Sequence, residues 1–265
     1  MQAFKTISFI GSGNVATHLA KEFYAHGFTV VQICSRLMEN AEILAKQVNA
    51  EPLDHLDNLS ENADLIFCCT KDELIGKITN KLTEKRKIKN IVHTSGTVGL
   101  EIFEPFKNSI EQFGIFYPLQ TFSKTVPVDF TELPIGVTSD IPGFQQSLFE
   151  LAKTITNKPF NISDDERKHL HIAAVLVNNF ANHLFALGQK YCEDNKLDFE
   201  LLKPLIHQTI NKIDVIKPID AQTGPAKRGD ERIIKNHLEM LNDDVHLKAI
   251  YKALTESILK MYHGQ

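Results

Sequence analysis

The sequence predicts an α/β protein. An N-terminal Rossmann domain with a doubly wound, mostly parallel sheet precedes a C-terminal all-helical domain. In the first half of the chain, short apolar runs alternate with helical patterns, which is typical of βαβ units. The apolar runs are continuous rather than alternating, as expected for strands that helices cover on both faces. From about residue 163 onward, only helical patterns follow one another.

Local patterns place the individual elements. Strands are predicted over residues 7–10, 30–34, 65–69, 91–92, 115–117 and 134–137. At residue 163 the sequence Ser-Asp-Asp-Glu has the form of a capping box, and it predicts the start of one helix of roughly 30 residues. Further helices are predicted over residues 198–216, 230–241 and 244–262. We therefore expect an NAD(P)-binding Rossmann domain over residues 1–157 and a helical substrate-binding and dimerisation domain over residues 158–265.

Composition excludes several functional classes. The 29 basic residues nearly balance the 33 acidic ones, for a net charge of −4, whereas proteins that bind nucleic acids or membrane surfaces normally carry a basic excess. The longest uninterrupted apolar run, residues 172–177, is too short to span a bilayer. A strand pattern begins within a few residues of the N-terminus, so no signal peptide is expected. Four cysteines are too few for a disulfide scaffold, and we expect free thiols in a cytoplasmic protein.

A glycine-rich turn of the form G-x-G-x-x-A, residues 11–16, lies between the first predicted strand and the first predicted helix. Gly11 permits the tight turn, Gly13 lets a diphosphate approach the backbone, and Ala16 keeps the helix close to the strand. The helix N-terminus offers free N–H groups and a partial positive charge to the phosphates. A purely structural turn is the alternative, but the position of the motif favours dinucleotide binding.

The end of the second predicted strand bears on the choice of cofactor. NAD-selective sites usually place Asp or Glu there, to bind the ribose 2′-hydroxyl. Here the strand ends in Cys34-Ser35-Arg36, and a guanidinium beside a hydroxyl suits the 2′-phosphate of NADP. A solvated surface arginine is the alternative. With the glycine turn in place, the missing acid favours NADP over NAD and counts against an S-adenosylmethionine methyltransferase.

Three polar segments follow predicted strands and are expected to meet at one edge of the sheet, beyond the carboxyl ends of the strands. They cover residues 70–72, 93–96 and 117–123. For Thr70, Thr94 or Ser95 taken singly, capping of a turn or helix explains the residue at least as well as contact with a substrate. Their convergence on one edge nevertheless indicates a site for a small molecule.

The long predicted helix carries His171 and Asn178 on one stripe, with Asn179 beside it, in an otherwise apolar stretch. Buried amides and imidazoles need hydrogen-bond partners, so this face is expected to meet either a polar cleft or a polar interface. His169 and His171 point to nearly opposite sides of a helix, and no Cys/His spacing fits zinc, so no metal site is predicted.

Arg228 lies among small residues in a break between helical patterns, residues 223–229. The sequence supports two interpretations of Arg228 equally. In the first, its guanidinium contacts an anionic substrate or a partner subunit. In the second, it is solvated in a helix–helix loop.

Four segments together resemble one bacterial family of Rossmann-plus-helical proteins, often labelled NADP oxidoreductases and described as deazaflavin-dependent-like. They are the glycine turn, the corner at residues 93–96, the segment 116–123 and the loop 223–230. The resemblance extends over nearly the whole chain. More distantly, the chain is similar to the 6-phosphogluconate dehydrogenase-like superfamily, which includes β-hydroxyacid dehydrogenases and pyrroline-5-carboxylate reductases. The resemblance implies a homodimer formed through the helical domain and a substrate cleft between the domains.

Carried over by position, the resemblance implies binding sites for three parts of the cofactor. The diphosphate is expected to contact residues of the glycine turn, the adenosine phosphate to contact the end of the second strand, and the nicotinamide ribose to lie near the end of the next strand. These cofactor-binding residues are Gly11, Ser12, Gly13, Asn14, Val15, Ser35, Arg36 and Thr70.

The same comparison implies substrate and catalytic residues. Ser95 and Gly96 resemble the start of the superfamily's substrate-binding Ser-Gly-Gly, and Asn178 or Asn179 takes the position of its helix asparagine. The hydroxyacid dehydrogenases place a catalytic lysine four residues earlier, where this chain has alanine and valine at 174 and 175. His171 is the nearest titratable replacement, one turn earlier, and imidazole is a competent acid or base near neutral pH.

We therefore expect an NADPH-dependent oxidoreductase that transfers hydride to a small carbonyl, imine or deazaflavin-like acceptor. In this hypothesis Ser95 and Asn178 orient the acceptor and His171 supplies a proton. The other predicted substrate-binding residues are Gly96, Gln120, Asn179 and Arg228. The second hypothesis is a dinucleotide-binding sensor or scaffold without chemistry, and the missing lysine is its best support.

Overall fold

The computed structural model describes residues 4–264, and it confirms the predicted fold class. Its central feature is an eight-stranded sheet in the order β3-β2-β1-β4-β5-β6-β7-β8. Neighbouring strands are parallel except for β6 and β7, which are antiparallel. The strands are β1 (Thr6–Ile10), β2 (Thr29–Cys34), β3 (Glu51–Leu53), β4 (Leu65–Cys68), β5 (Ile88–His93), β6 (Ile110–Pro118), β7 (Ile135–Thr138) and β8 (Pro159–Asn161).

Helices connect most of the strands and then continue alone. In the first part of the chain they are α1 (Asn14–Ala25), α2 (Met38–Val48), α3 (Asp72–Thr83) and α4 (Pro142–Lys153). After β8 come α5 (Asp164–Ala174), a π-helical segment (Val175–Phe180), α6 (Ala181–Asp194), α7 (Lys203–Ile213), α8 (Pro218–Ala221), α9 (Pro225–Arg228), α10 (Glu231–Met240) and α11 (Val245–His263).

Two apolar clusters cover the two faces of the sheet. In β4, Leu65 and Phe67 belong to one cluster and Ile66 to the other, because successive side chains of a strand point to opposite faces. The first cluster also contains Leu19 and Phe23 of α1, which stand on one face of the helix at a spacing of four. The continuous apolar character of the strands therefore reflects burial on both sides.

The sequence did not predict the two edge strands as parts of the sheet. β3 and β8 have three residues each and include Pro52 and Pro159. Proline and short length are common in edge strands, since one side of such a strand needs no hydrogen-bond partner. Neither segment forms an apolar run, so the pattern that revealed the central strands was missing.

The long helix begins as predicted. The Ser163 side chain accepts a hydrogen bond from the Glu166 backbone, and the Glu166 carboxylate accepts one from the Ser163 backbone, which completes the capping box. Helical structure then continues from Asp164 to Asp194, 31 residues. The segment Val175–Phe180 is π-helical rather than α-helical. Single π-turns inside α-helices are frequently found at functional sites.

The described chain divides into two compact units, which meet in sequence at Asn178 and Asn179. We call them the sheet unit (up to Asn178) and the helical unit (from Asn179). β8 pairs with β7, so residues 159–161 belong to the sheet. The predicted assignment of functions to residues 1–157 and 158–265 stays a prediction, because compactness does not establish function.

The long helix is apolar over a stretch that stays exposed in the described part of the chain. By length and composition alone, Asp164–Asp194 is the one helix of the described residues that could cross a membrane, and its most apolar stretch contains no buried residue. Within the described part of the helical unit, the buried apolar side chains are only Cys192, Ala226, Ile234 and Leu241. The unit therefore has almost no core of its own.

Candidate functional site

A cavity of about 750 Å³ opens at the carboxyl edge of the sheet, where β1, β2 and β4 end. This is where the strand order reverses, since β1 lies between β2 and β4, and sheets of this type bind ligands at such a point. Six of the eight predicted cofactor-binding residues line it, namely Gly11, Ser12, Gly13, Ser35, Arg36 and Thr70. Lys71, from the predicted polar segment 70–72, also lines it, whereas the sequence did not single out other lining residues, among them Asn40, Asp54, His55, Leu56, Leu74 and Lys124.

The two glycines of the turn have different roles. Gly11 has a positive φ of 110°, and a Cβ there would collide with the Cys69 carbonyl at the end of β4. Any other residue would thus strain the backbone and push β1 and β4 apart. Gly13 precedes α1, and a Cβ at Gly13 would meet no atom within 4 Å. The N-terminus of α1 is therefore open, and the residues present fit a bound diphosphate.

The end of β2 is joined to the glycine turn. Ser12 Oγ donates a hydrogen bond of 2.8 Å to Ser35 Oγ. This contact holds the start of the predicted 2′-phosphate site against the diphosphate site. The next residue, Arg36, is exposed at the rim of the cavity, and the described salt bridges do not include it. Its guanidinium is thus available to an anion.

Asn14 and Val15 are not among the residues that line the cavity. The Asn14 side chain donates a hydrogen bond of 2.8 Å to the Phe122 carbonyl, and His18 Nε2 lies 2.9 Å from the Ser123 carbonyl. Val15 packs against the apolar core. The side chains at the start of α1 therefore anchor the loop that follows β6.

The corner after β5 is held from inside by an arginine that the sequence analysis did not single out. Arg167 of α5 has no exposed surface, and it donates hydrogen bonds to the carbonyls of Ser95 (2.9 Å) and Val98 (2.7 Å). It also pairs with Asp164 at 2.6 Å. A buried guanidinium is stable only when its charge is paired and its N–H groups are bonded. A charged residue one turn after a capping box is usually on an exposed helix face, so the sequence pattern gave no indication that Arg167 is buried.

Ser95 Oγ accepts hydrogen bonds from the backbone N–H groups of Thr97 (3.1 Å) and Val98 (3.0 Å). The hydroxyl thus caps its own turn, which is the alternative that the sequence left open. Thr97 Oγ1 in turn donates to Asp72 Oδ2 at 2.5 Å. These contacts tie the ends of β4 and β5 together.

His171 is brought to the same corner. Its Nδ1 lies 3.1 Å from the Tyr117 hydroxyl, and Tyr117 stands near the end of β6. Gly96 packs so closely on the imidazole that a Cβ there would collide with Nδ1. Two of the segments that the sequence placed at one edge, 93–96 and 117–123, therefore meet at His171 of the long helix, through Gly96 and Tyr117. Burial raises the pKa of Tyr117, while the charge of Arg167 opposes that rise.

The remaining predicted substrate residues are less closely placed. Gln120 is exposed, and its side chain accepts a hydrogen bond from the Thr121 backbone. Asn178 is half-buried and Asn179 exposed, and both lie in the π-helical segment. Arg228 is exposed at the end of α9, in the helical unit.

The cysteines are unsuited to nucleophilic chemistry. Cys34, Cys68, Cys69 and Cys192 are buried free thiols, as the sequence predicts for their redox state. Burial raises the pKa of Cys34 and of Cys68 to about 11, so both stay protonated at neutral pH.

A doubly wound sheet with a glycine turn opening α1 at its switch point defines a protein of the Rossmann-fold class. The chain belongs to the same family as the putative NADP oxidoreductase BF3122 of Bacteroides fragilis. The two are 36% identical over 98% of this chain and 100% of that one, with a TM-score of 0.91. The family resemblance read from the sequence is thereby confirmed.

More distant structures share the fold. Protein TM1727 of Thermotoga maritima is 21% identical over 97% of this chain and 98% of that one, with a TM-score of 0.70. An imine reductase of Myxococcus stipitatus, solved in complex with NADP+, is 15% identical over 96% of this chain and 92% of that one, with a TM-score of 0.67. The ligand in the name of that structure, NADP, is the cofactor that the sequence predicts.

Family models match the two parts of the chain separately. Residues 2–96 match the model described as shikimate / quinate 5-dehydrogenase, and residues 133–258 match a domain of unknown function, DUF2520. A glutamyl-tRNA reductase of Methanococcus aeolicus is 31% identical over 90 residues, which are 33% of this chain and 22% of that protein. The chain thus spans about a fifth of the length of that curated relative.

The pKa of His93 makes the stability of this corner depend on pH. Burial, followed by the charge of Arg167, lowers the pKa of His93 from 6.5 to about 4. The unfolded chain therefore binds a proton at His93 between those pH values and the folded chain does not. The stabilisation is complete above the unfolded value and is lost as pH falls toward about 4.

We predict that His93→Asn, which keeps an acceptor for the Ser95 backbone but does not titrate, flattens the loss of stability between pH 6.5 and 4. Over this pH range, the wild-type protein should lose more of its free energy of unfolding than the variant, by an amount on the order of 3 kcal/mol. Urea unfolding at a series of pH values measures it. The control His55→Asn changes an exposed histidine and should keep the wild-type slope; identical slopes for His93→Asn and wild type would contradict the prediction.

Proposed function

We propose that the protein is an NADPH-dependent oxidoreductase that reduces a small carbonyl, imine or deazaflavin-like acceptor. The observation that carries the proposal is the presence of two features at the same edge of the sheet. One is the open helix N-terminus at Gly13, and the other is the Tyr117–His171 pair against Gly96. The first suits a diphosphate, and the second suits the delivery of a proton.

The binding part of the proposal rests on the cavity. Backbone N–H groups at the start of α1 would bind the diphosphate, and Ser35 and Arg36 the 2′-phosphate. The lining also contains Lys71, Lys81 and Lys124 against Asp54 and Glu73, so that with Arg36 its basic residues outnumber its acidic ones by four to two. Thr70, at the end of β4, would contact the nicotinamide ribose. The names of the family member and of the imine reductase, both of which refer to NADP, support the same cofactor.

When bound, NADPH supplies a hydride to an electrophilic carbon of the acceptor. The protein has to orient the acceptor and provide the proton that its oxygen or nitrogen then needs. We assign the proton to His171, and the orientation of the acceptor to Asn178 with the corner at Ser95 and Gly96. Because the Ser95 hydroxyl already accepts two backbone hydrogen bonds, it can contact the acceptor only by donating the proton that it otherwise directs to Thr97 Oγ1, 3.3 Å away.

One observation favours a second function, a dinucleotide-binding sensor without chemistry. The position of the superfamily's catalytic lysine is occupied by Ala174 and Val175, and the Ser95 hydroxyl caps its own turn. Such a sensor would keep the cofactor cavity and its preference for NADPH. Catalytic turnover separates it from the enzyme.

We also propose a homodimer formed through the helical unit. Its exposed large apolar side chains greatly outnumber its four buried ones. Burial of each aliphatic side chain contributes about 1.5–3 kcal/mol, so a second copy that covers them would supply the core that the unit lacks. Among the exposed residues are Phe180, Leu184, Phe185, Leu197, Leu201, Leu205, Ile210 and Ile213.

The cofactor preference is tested by calorimetric titration with NADPH and NADH. Arg36→Ala should weaken NADPH binding about 10–100-fold, the value of a lost charge-assisted contact, and leave NADH binding nearly unchanged. Lys46→Ala removes an exposed positive charge from α2 outside the cavity and should alter neither affinity. Equal affinity of the wild-type protein for the two cofactors would refute the assignment.

Turnover is tested by following NADPH oxidation across a panel of carbonyl and imine acceptors. His171→Ala should lower kcat about 100-fold, since a positioned acid typically contributes at least that much. His169→Ala is the matched control, because His169 is exposed on the same helix and its described hydrogen bond is to the Asp165 carbonyl. A His171→Ala variant that turns over at the wild-type rate would remove the proton-donor role. A wild-type protein that binds NADPH but reduces none of the acceptors would favour the sensor.

The oligomeric state is measured by light scattering coupled to size-exclusion chromatography. The wild-type protein should elute with twice the chain mass of 29.9 kDa. Leu205→Glu places a charge on the exposed apolar face of α7 and should shift the population to monomers. Gln208→Glu adds the same charge to an exposed polar position of α7 and should remain a dimer. A wild-type monomer at all concentrations would contradict the proposal.

A further inference from the structure

The contact between Tyr117 and His171 determines which nitrogen of the imidazole is left for chemistry. Tyr117 is 6% exposed, and its hydroxyl lies 3.1 Å from Nδ1 of His171. The two rings meet edge to face, at 66° with centroids 6.2 Å apart. Gly96 lies against the same nitrogen. With Nδ1 occupied, Nε2 is the ring nitrogen that remains available.

The direction of the hydrogen bond follows from the surroundings of the phenol. Burial raises the pKa of Tyr117, so the hydroxyl keeps its proton at neutral pH. Within the described residues, Nδ1 of His171 is the hydrogen-bond partner of this hydroxyl. If His171 donated instead, the phenol proton would have no acceptor among the described residues, which is unfavourable for a hydroxyl with so little exposure. The favoured arrangement is therefore a phenol that donates to an unprotonated Nδ1.

We propose that Tyr117 is a positioning residue that holds neutral His171 in the tautomer with its proton on Nε2 and thereby makes Nε2–H the proton donor of the reaction. This inference rests on the proposed reductase function. Tyr117 acts only through His171, since its hydroxyl is bonded to the ring rather than free for an acceptor.

The proton balance of the step is complete. As a hydride forms the new C–H bond, the oxygen or nitrogen of the acceptor takes the proton of His171 Nε2. The phenol proton of Tyr117 moves to Nδ1, so the imidazole stays neutral. The resulting phenolate is stabilised by Arg167, whose charge favours the ionised form of Tyr117. A proton from solvent then binds Nε2 and the Nδ1 proton returns to Tyr117, so each turnover consumes one solvent proton.

The chain contains a matched control for this pair. In the helical unit, Tyr251 Oη lies 2.8 Å from Nδ1 of His237. The two rings are again edge to face, at 79°. This second pair lines an apolar cavity of about 430 Å³ that contains none of the predicted site residues. Tyr251→Phe therefore removes the same kind of bond without touching the proposed site.

The tautomer can be read from the ¹⁵N NMR spectrum of histidine-labelled protein without cofactor, at a pH about two units above the ordinary histidine pKa of about 6.5. A His171→Gln variant assigns the signals. The wild-type spectrum should show His171 with Nδ1 unprotonated and Nε2 protonated. In Tyr117→Phe the two signals should move toward each other, because both tautomers become populated. Protonated Nδ1 in the wild-type protein would overturn the inference, and that reading does not depend on the variant folding.

Turnover supplies the second readout. Tyr117→Phe should lower kcat about 10-fold and change KM less than about 2-fold. A positioned acid contributes at least about 100-fold to kcat, and His171 without its partner should lose part of that contribution. Tyr251→Phe should alter the signals of His237 and leave kcat unchanged. A wild-type kcat for Tyr117→Phe would overturn the inference. A wild-type protein that reduces no acceptor would refute the proposed function, whereas the spectrum would still decide the tautomer of His171.

Discussion

The close approach of Gly11 to the Cys69 carbonyl is the constraint on which the site depends. It allows the chain to leave β1 with a positive φ while β4 stays directly alongside. The turn then delivers Gly13 to the start of α1 with no atom near the place of a side chain. Because the unpaired N–H groups of a helix start need a partner, this open end suits an anion such as the proposed diphosphate. The Ser12–Ser35 bond extends the same site to the end of β2.

A second constraint, the burial of Arg167, organises the neighbouring corner. A guanidinium without exposed surface has to be bonded, and here it takes the carbonyls of Ser95 and Val98 and the carboxylate of Asp164. These bonds join α5 to the segment after β5 and thereby place His171, one turn further along α5, against Gly96 and Tyr117. The position of the proposed proton donor is thus a consequence of a structural charge pair.

Sequence patterns were informative where a single physical cause dominates. Burial on both faces makes the central strands continuously apolar, and a capping box marks the start of the helix at Ser163. The sequence did not predict the burial of Arg167, because an arginine in a helical pattern is normally exposed. Its burial depends on carbonyls about 70 residues away in the sequence. The contact between His171 and Tyr117 was also not predicted, because the two residues are distant in sequence and meet only when β6 and α5 are folded. The glycine turn and the end of β2 predicted the cofactor as local patterns, whereas the family resemblance supplied the expected roles of Thr70, Gly96 and Asn178.

The most direct measurement is a crystal structure of the protein grown with NADPH. The account predicts that the diphosphate lies against the backbone N–H groups at the start of α1, beside Gly13, with the 2′-phosphate at Ser35 and Arg36. It further predicts that the nicotinamide ring lies toward the corner formed by Gly96 and His171. A nucleotide bound elsewhere, or an N-terminus of α1 that stays unoccupied at Gly13 in saturating NADPH, would contradict both the proposed reductase and the proposed sensor.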